Sequence, residues 1–310
     1  MVKNKVDIDD TNISLDLSDA TQAVKENRFQ DAILLLKRIL KDQPDNIDAL
    51  YLAAVSTRYL KKFDESKSYI MDLLSNAPDM GRAYQEYGHL NRDQGNEEKA
   101  VMHYRQACEL NPALLASWDF LYQYFTKYKN KPAADHAEEQ LKKLKSLPGL
   151  LLYISQILNE GRLGLAEEKC RAFLKKNPTH TYAMSLLAEI ANRLGYFDDA
   201  EFLLEKAVEF SPDDGDLRTK YAEILRKKQK FSKTMEQVEI LCEKFPNNLN
   251  YKAQKASEIM QNGDHEEAIN LLNDILKKNP YNFSTLTSRG HAQKTLGKTE
   301  QAIKSYQSAY

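Results

Sequence analysis

The chain has 310 residues, of which 44 are Lys or Arg and 45 are Asp or Glu, so its formal net charge is −1. This balance excludes a strongly basic nucleic-acid-binding protein and an acidic disordered tail. Hydrophobic residues make up 42% of the chain and charged residues 29%, which is enough apolar material for a folded core with a solvated surface.

Prolines divide the chain at a nearly constant interval. Successive gaps between eight of the nine prolines are 34, 34, 36, 30, 34, 34 and 34 residues. These eight are Pro44, Pro78, Pro112, Pro148, Pro178, Pro212, Pro246 and Pro280. A fixed period of this length indicates a repeat array in which each unit is one supersecondary element.

In chain order, the period predicts a polar, disordered leader over residues 1–12, repeats 1–4 over 13–146 and repeats 5–9 over 147–310, the last cut short. The repeats begin at Ile13, Ile47, Gly81, Leu115, Leu147, Thr181, Gly215, Leu249 and Phe283. The register is irregular near 129–153, where Pro132 opens a second helix and residues 150–154 are apolar on every face. This joint either changes the pitch of the array or packs on another surface. The alternative is an ordinary degenerate repeat with one buried helix.

Each repeat is predicted to be a pair of packed helices. Positions 8 and 20 hold small residues in most repeats, such as Ala54 and Ala100, which lets two helices approach closely. Position 15 is glycine in five repeats, suited to the left-handed conformation that ends a helix. Acidic residues open many second helices and lysines close several of them, the order that complements a helix dipole. The predicted fold class is therefore all-α.

Residues that could carry chemistry are sparse. The six histidines show no metal-ligand spacing, and Cys108, Cys170 and Cys242 lie more than 60 residues apart. Because no nucleophile, base and metal ligand converge by pattern, neither catalytic residues nor a metal site are expected. The amino end lacks a signal sequence, and no run of 18 apolar residues occurs. These features favour a cytoplasmic protein that binds neither membrane nor nucleic acid.

The small residues at positions 8 and 20, together with Trp118 and the terminal proline, resemble the tetratricopeptide repeat (TPR) over residues 13–310. The resemblance implies a right-handed superhelical solenoid of about nine helix–turn–helix repeats, acting as a scaffold for protein–protein interaction. In TPR arrays the first helices line a concave groove, chiefly through positions 2, 5, 9 and 12. In repeats 2 and 3 the groove residues are Tyr51, Arg58, Arg82, Gln85, His89 and Arg92.

Four of these groove residues are potential cations. The patch is therefore predicted to dock an anionic segment of a protein or peptide partner, since guanidinium groups pair well with carboxylates and phosphates. The alternative is a polar groove wall with no dedicated ligand.

A narrower resemblance concerns two segments that share Gly-His at positions 8 and 9, Gly88-His89 and Gly290-His291. The phrases ELNPALLASW and GHAQKTLGK are similar to the repeat region of bacterial TPR-containing sulfotransferases. In that family the repeats precede a catalytic domain that uses 3′-phosphoadenosine 5′-phosphosulfate. The family's cofactor loop, P-x-S-G-T-T, is absent from this chain, so the cofactor is expected only if such a domain follows.

Two function classes stay open. The chain stops inside the second helix of repeat 9, at Ala309-Tyr310, which suggests the truncated repeat region of a longer sulfotransferase. The alternative is a free-standing TPR adaptor with no attached enzyme. Whether the full protein is an enzyme is left open, and the sequence after residue 310 would decide it. An uncapped apolar end could also support a homodimer.

Overall fold

The computed structural model describes the backbone of residues 6–309 and the side chains of residue 13 and residues 15–309. Within this range it contains eighteen α-helices and no strand. The first nine are α1 Val6–Lys25, α2 Phe29–Asp42, α3 Ile47–Tyr59, α4 Phe63–Asn76, α5 Gly81–Asp93, α6 Glu97–Leu110, α7 Leu115–Lys127, α8 Lys131–Lys145 and α9 Gly149–Asn159. The others are α10 Leu163–Lys176, α11 Thr181–Arg193, α12 Phe197–Phe210, α13 Gly215–Lys227, α14 Phe231–Lys244, α15 Leu249–Gln261, α16 His265–Lys278, α17 Phe283–Thr295 and α18 Thr299–Ala309.

The all-α prediction is confirmed, and seven of the nine predicted repeat starts are also the first residues of helices. The two differences lie at α1 and α9. Helix α1 begins at Val6, inside the predicted leader, of which residues 1–5 lie outside the described residues. Helix α9 begins at Gly149 because Pro148, with φ of −54°, holds the position before its first turn.

Side-chain caps and left-handed turns set the helix ends. Asn46 accepts a hydrogen bond from the backbone N–H of Ala49 at 3.0 Å, and Asn282 does the same for Thr285 at 2.9 Å. Such caps satisfy N–H groups that the first turn leaves free. The turns from first to second helices contain one residue with positive φ, and these are Gly95, Gly161, Gly195, Gly263, Gly297, Asn27, Lys61, Lys129 and Gln229. Position 15 therefore requires the left-handed conformation even where the residue is not glycine.

Small residues at position 8 permit close packing within a repeat. A Cβ atom added at Gly88 would lie 2.8 Å from the ring of Tyr104, and one added at Gly290 would lie 2.5 Å from the ring of Tyr306. Ala100, at position 20, is fully buried. The tyrosine rings thus fill the space that a side chain at position 8 would need.

The chain forms two compact units, Met1–Ala166 (unit 1) and Glu167–Tyr310 (unit 2). They divide within α10, whereas the sequence prediction divides the array between residues 146 and 147. In unit 1, one core cluster gathers Tyr104, Leu121 and Phe125 from α6 and α7. In unit 2, a cluster gathers Leu204 and Leu225 from α12 and α13. Each unit therefore buries its own apolar core between successive helices.

Candidate functional site

The six predicted groove residues lie on the first helices α3 and α5 of unit 1. Arg58 is in the last turn of α3, and Arg82 is the second residue of α5. Gln85, His89 and Arg92 follow Arg82 at intervals of three or four residues, which places them along one face of α5. The sequence register thus places all six in one compact unit, and the structure shows what each of them contacts.

Arg58 is buried in a network of carboxylates. Its Nε donates to Oε1 of Glu86 at 2.5 Å, and its Nη1 donates to Oδ2 of Asp93 at 2.7 Å. The guanidinium also lies over the ring of Tyr59, 4.4 Å from the ring centroid. The side chains of Arg58 and Glu86 are only 7% and 3% exposed. The charge of Arg58 is therefore balanced inside the protein and is not offered to solvent.

Arg82 pairs with Glu160, at the carboxyl end of α9. Nη2 of Arg82 donates to Oε2 of Glu160 at 2.7 Å, and Nε of Arg82 contacts Oε1 of the same carboxylate. The guanidinium lies over Tyr51, 4.7 Å from the ring centroid. Burial, and then the negative charge of Glu86, raise the pKa of Tyr51 to about 12. Arg82 and Glu160 thus form an ion pair with one hydrogen bond and a second close contact beside an aromatic ring, and the Glu160 side chain is only 4% exposed.

Three further contacts hold α9 and the turn after it beside Arg82. Nε2 of Gln156 donates to the carbonyl of Ala113 at 3.0 Å, Nδ2 of Asn159 donates to Oδ1 of Asn111 at 3.2 Å, and Nδ2 of Asn111 donates to the carbonyl of Gln156 at 3.2 Å. An exposed ion pair joins Arg162 to Asp48 at 3.3 Å. We call these contacts, with the Arg82–Glu160 pair, the α9 clasp; its residues are Asp48, Arg82, Asn111, Ala113, Gln156, Asn159, Glu160 and Arg162.

The α9 clasp covers the amino ends of α3 and α5, where positions 2 and 5 of repeats 2 and 3 lie. The apolar residues Leu151, Ile154, Ile157 and Leu158 of α9 are all buried. The run that is apolar on every face therefore buries Leu151 and Ile154 but leaves Leu150 and Tyr153 exposed. The polar carboxyl end of α9 covers this part of unit 1. The predicted groove is filled here by the protein's own chain.

Gln85 and His89 also have internal partners. Oε1 of Gln85 accepts a hydrogen bond from Oγ of Ser117 at 3.0 Å, and Nδ1 of His89 lies 2.6 Å from Oη of Tyr104. Burial, with Arg58 and Arg92 adding to it, lowers the pKa of His89 to about 4. His89 is therefore neutral at pH 7 and is not a cation of the patch.

Arg92 is the most exposed of the three arginines. Its side chain is 44% exposed and lies 3.0 Å from Asp93. The three arginines thus face three carboxylates, those of Glu86, Asp93 and Glu160. The sequence prediction considered the cations alone. Glu86 and Asp93 lie on α5 within one turn of the predicted residues and could have been found by spacing, but no periodic signal points to Glu160.

The environment of His89 predicts a pH dependence of stability. Its pKa of about 4 lies below the ordinary value of 6.5. Between these values the unfolded chain takes up a proton that the folded chain does not, so the free energy of unfolding should fall as the pH falls from 6.5 to 4. Urea unfolding from pH 7 to 4 would measure the loss, and His89→Gln should make it smaller. The same loss in the variant and the original chain would contradict this prediction.

The first helices of unit 2 present a different polar face. Nζ of Lys220 donates to Oγ of Ser185 at 2.8 Å, and Nζ of Lys227 donates to Oδ1 of Asn192 at 2.7 Å. These bonds join α11 to α13 around a small cleft of about 30 Å³ that Glu223 also lines. Cations and hydrogen-bond acceptors therefore alternate along this face.

The described residues contain neither a membrane-spanning helix nor a metal-binding cluster. None of the helices there is long and apolar enough to cross a lipid bilayer. No group of three or more His, Cys, Asp or Glu side chains within the same part of the chain is arranged to hold a metal ion.

Comparison with solved structures finds proteins that resemble about half of the chain. A crystal structure of MamA shares 15% identity, covering 50% of this chain and 91% of that chain, with a TM-score of 0.46. MamA AMB-1 shares 17% identity over 52% and 93% of the two chains, with a TM-score of 0.45. The MamA RS-1 ArsTM double mutant shares 11% over 53% and 94%, with a TM-score of 0.46.

Sequence comparison identifies the repeats. No curated protein matches the chain. Two family models, each described as tetratricopeptide repeat, do match: one at residues 81–114 and 283–310, the other at residues 158–215. The matched segments include the two that carry Gly88-His89 and Gly290-His291. These matches show tetratricopeptide repeats at residues 81–114, 158–215 and 283–310, in a chain whose described residues form helices and no strand.

Proposed function

We propose that the chain is a protein-interaction scaffold and that the first-helix face of unit 2 receives a peptide segment of its partner. The observation that carries this proposal is the fifth residue of each first helix in unit 2. These residues are Ser185, Thr219, Ala253 and Thr287. All four are small, whereas repeats 2 and 3 in unit 1 have Tyr51 and Gln85 at this position. Small side chains project little from this face, so a peptide backbone can approach the helices where the Lys220 side chain, which bonds Ser185, moves aside.

Polar groups flank this row of small residues. The ninth and twelfth residues of a first helix share its face, one and two turns further along. In α11 and α13 this face carries Glu189, Asn192, Glu223 and Arg226. Carboxylate, amide and guanidinium groups can hydrogen-bond both the backbone and the side chains of a peptide. The first-helix face of unit 2 therefore has a row of small side chains with hydrogen-bonding groups beside it.

Unit 1 offers fewer available arginines to the predicted anionic partner segment than the sequence predicts. Arg58 and Arg82 already hold Glu86, Asp93 and Glu160, so a partner carboxylate would have to displace one of these side chains. Arg92 is more exposed than the other two. We propose that an acidic segment would meet Arg92 first.

An attached sulfotransferase domain is a separate proposal, supported by the sequence resemblance of the two Gly-His segments. A free-standing adaptor is the alternative. Reading the gene beyond codon 310 for a P-x-S-G-T-T loop distinguishes them. If the loop is found, transfer of sulfate from 3′-phosphoadenosine 5′-phosphosulfate should be assayed with the full protein.

A blocking substitution tests the peptide-binding face. A displayed library of random peptides would be selected on the chain, and the best peptide synthesised and titrated by fluorescence anisotropy. We expect Ala253→Tyr to weaken its binding at least about tenfold, which is roughly 1.4 kcal/mol, because the ring fills the space for the backbone. Ser232→Tyr is the control, since Ser232 is an exposed residue of a second helix, α14. A selected peptide that binds both variants as tightly as the original chain would contradict the proposal.

A further inference from the structure

Each unit has an apolar cleft on its second-helix side, apart from the faces described above. In unit 1 a cleft of about 390 Å³ lies between α6 and α8 over α7. In unit 2 a cleft of about 210 Å³ lies between α10 and α12 over α11. We call them the unit 1 cleft and the unit 2 cleft. The unit 2 cleft is lined by Glu167, Arg171, Leu187, Ile190, Ala191, Leu194, Tyr196, Asp199, Phe202 and Leu203.

The two clefts occupy the same position in the repeat. Five residues of the unit 1 cleft correspond to residues of the unit 2 cleft at a constant offset of 66, which is one full repeat of 34 residues and the short one of 32. The pairs are Arg105 and Arg171, Leu121 and Leu187, Phe125 and Ala191, Ala133 and Asp199, and His136 and Phe202. Because the two clefts occupy the same position in the repeat, the residues that differ between them determine which chemical groups each cleft can bind.

The unit 2 cleft has an excess of negative charge. Nε of Arg171 donates to Oε1 of Glu167 at 2.8 Å, so this arginine is already paired. Asp199 is exposed on the opposite wall and has no ion-pair partner among the described residues. In the unit 1 cleft alanine takes the place of Asp199, and Arg105 lies over Phe125, 5.0 Å from the ring centroid. The unit 2 cleft therefore has two carboxylates, Glu167 and Asp199, for one arginine, whereas the unit 1 cleft has one of each, Glu109 and Arg105.

Large apolar side chains are exposed around the same cleft. Tyr196 and Phe202 are 61% and 60% exposed, and Leu194 is also exposed. Leu187 and Ile190 of α11, with Leu194 directly after its last residue, follow one another at helical spacing and form the floor. A trough lined by ridges at this spacing fits the apolar face of another helix. Exposed apolar residues that cluster in one cleft, unlike those scattered singly, mark an interaction surface.

We propose that the unit 2 cleft docks a basic amphipathic helix of another protein. Its leucine-like residues enter between Leu194, Tyr196 and Phe202, and a lysine or arginine on its flank pairs with Asp199. The cation can also lie against the faces of Tyr196 or Phe202, which attract positive charge. This surface is formed by second helices as well as by α11, so it is distinct from the first-helix face to which the peptide segment was assigned.

A designed helix tests the proposal. The probe is an amidated synthetic peptide of fourteen residues with leucine on one face and lysine on the other, and its matched partner has glutamate in place of every lysine. Binding to the whole chain would be followed by fluorescence anisotropy at two salt concentrations. We expect the lysine peptide to bind and the glutamate peptide to bind at least about tenfold more weakly, because only lysine complements Asp199.

Substitutions taken from the unit 1 cleft provide matched variants. Asp199→Ala and Phe202→His introduce the residues found at the equivalent positions of unit 1, Ala133 and His136. Because those residues lie in a second helix of the same repeat type, the substitutions are compatible with a helix here. Together they should weaken binding of the lysine peptide at least about tenfold. Glu168→Ala, which changes an exposed acidic residue outside the cleft, should leave this binding unchanged. The reverse change, Ala133→Asp with His136→Phe, should add a second binding site. Binding that survives Asp199→Ala with Phe202→His, or that Glu168→Ala weakens equally, would overturn the proposal.

The two binding tests are independent. If the library-selected peptide still binds the Asp199→Ala and Phe202→His variant while the lysine peptide does not, both proposals stand. If Ala253→Tyr also abolishes binding of the lysine peptide, that peptide does not bind in the unit 2 cleft.

Discussion

Glu86→Ala is expected to lower the free energy of unfolding of unit 1 by about 3–5 kcal/mol, the usual cost of leaving a buried charge without its partner. The reason lies in Arg58, whose side chain is 7% exposed and whose Nε is 2.5 Å from Glu86. Asp93 would remain as its other carboxylate, but Asp93 is itself shared with Arg92. Urea unfolding and hydrogen exchange of the α3 and α5 amides would measure the loss.

Two controls separate a broken ion pair from lost packing. Arg58→Met with Glu86→Leu removes both charges and keeps apolar volume, so it should recover much of the stability that Glu86→Ala loses. Glu138→Ala removes one partner of an exposed pair with Lys142 and should change stability by less than about 1 kcal/mol. A double variant as unstable as Glu86→Ala would mean that the charge of Arg58 is not the cause.

Arg82→Ala is expected to release α9, because it leaves the Glu160 carboxylate buried without its cation. The Glu160 side chain is 4% exposed, and Arg82 makes both contacts to it. We expect a cost of about 3 kcal/mol and faster hydrogen exchange along α9, with smaller changes in α6. Burial already raises the pKa of Glu160, so the variant should also favour protonation of this carboxyl group.

The α9 clasp offers its own control. Arg162→Ala removes the exposed pair with Asp48, in which both side chains are more than a third exposed, and should cost little. Arg82→Met with Glu160→Met should restore protection of α9 by replacing the pair with apolar contacts. If α9 exchanges at the original rate in Arg82→Ala, the buried pair does not hold it.

Most of the fold could be predicted because its signals are local and periodic. Proline spacing, small residues at position 8 and turn residues at position 15 recur in each repeat. The starts of α3, α5 and α7 and of the first helices α11 to α17 follow from that register. Helix α9 begins two residues after the predicted start of repeat 5, because Pro148 precedes its first turn.

The site was harder to predict because its contacts do not follow the period. The groove residues were found by position, and three of them are arginines. Their carboxylate partners do not lie at the groove positions of the repeat. Glu86 is at a different position of α5, and Glu160 lies 78 residues from Arg82. A pattern of repeats describes what each helix shows to its neighbours. The pattern does not indicate that a later helix, such as α9, contacts helices much earlier in the chain.

The return of α9 has a consequence for how unit 1 folds. In unit 2 the described contacts join helices that are adjacent or next but one along the chain, so folding can spread from one repeat to the next. In unit 1 the Arg82–Glu160 pair closes a loop of 78 residues. Contacts of such sequence separation raise the contact order and slow folding, because chain entropy is lost before the contact forms. Unit 1 is therefore expected to fold more slowly than an array joined only by neighbouring helices, because the Arg82–Glu160 contact forms only after the chain between them is ordered.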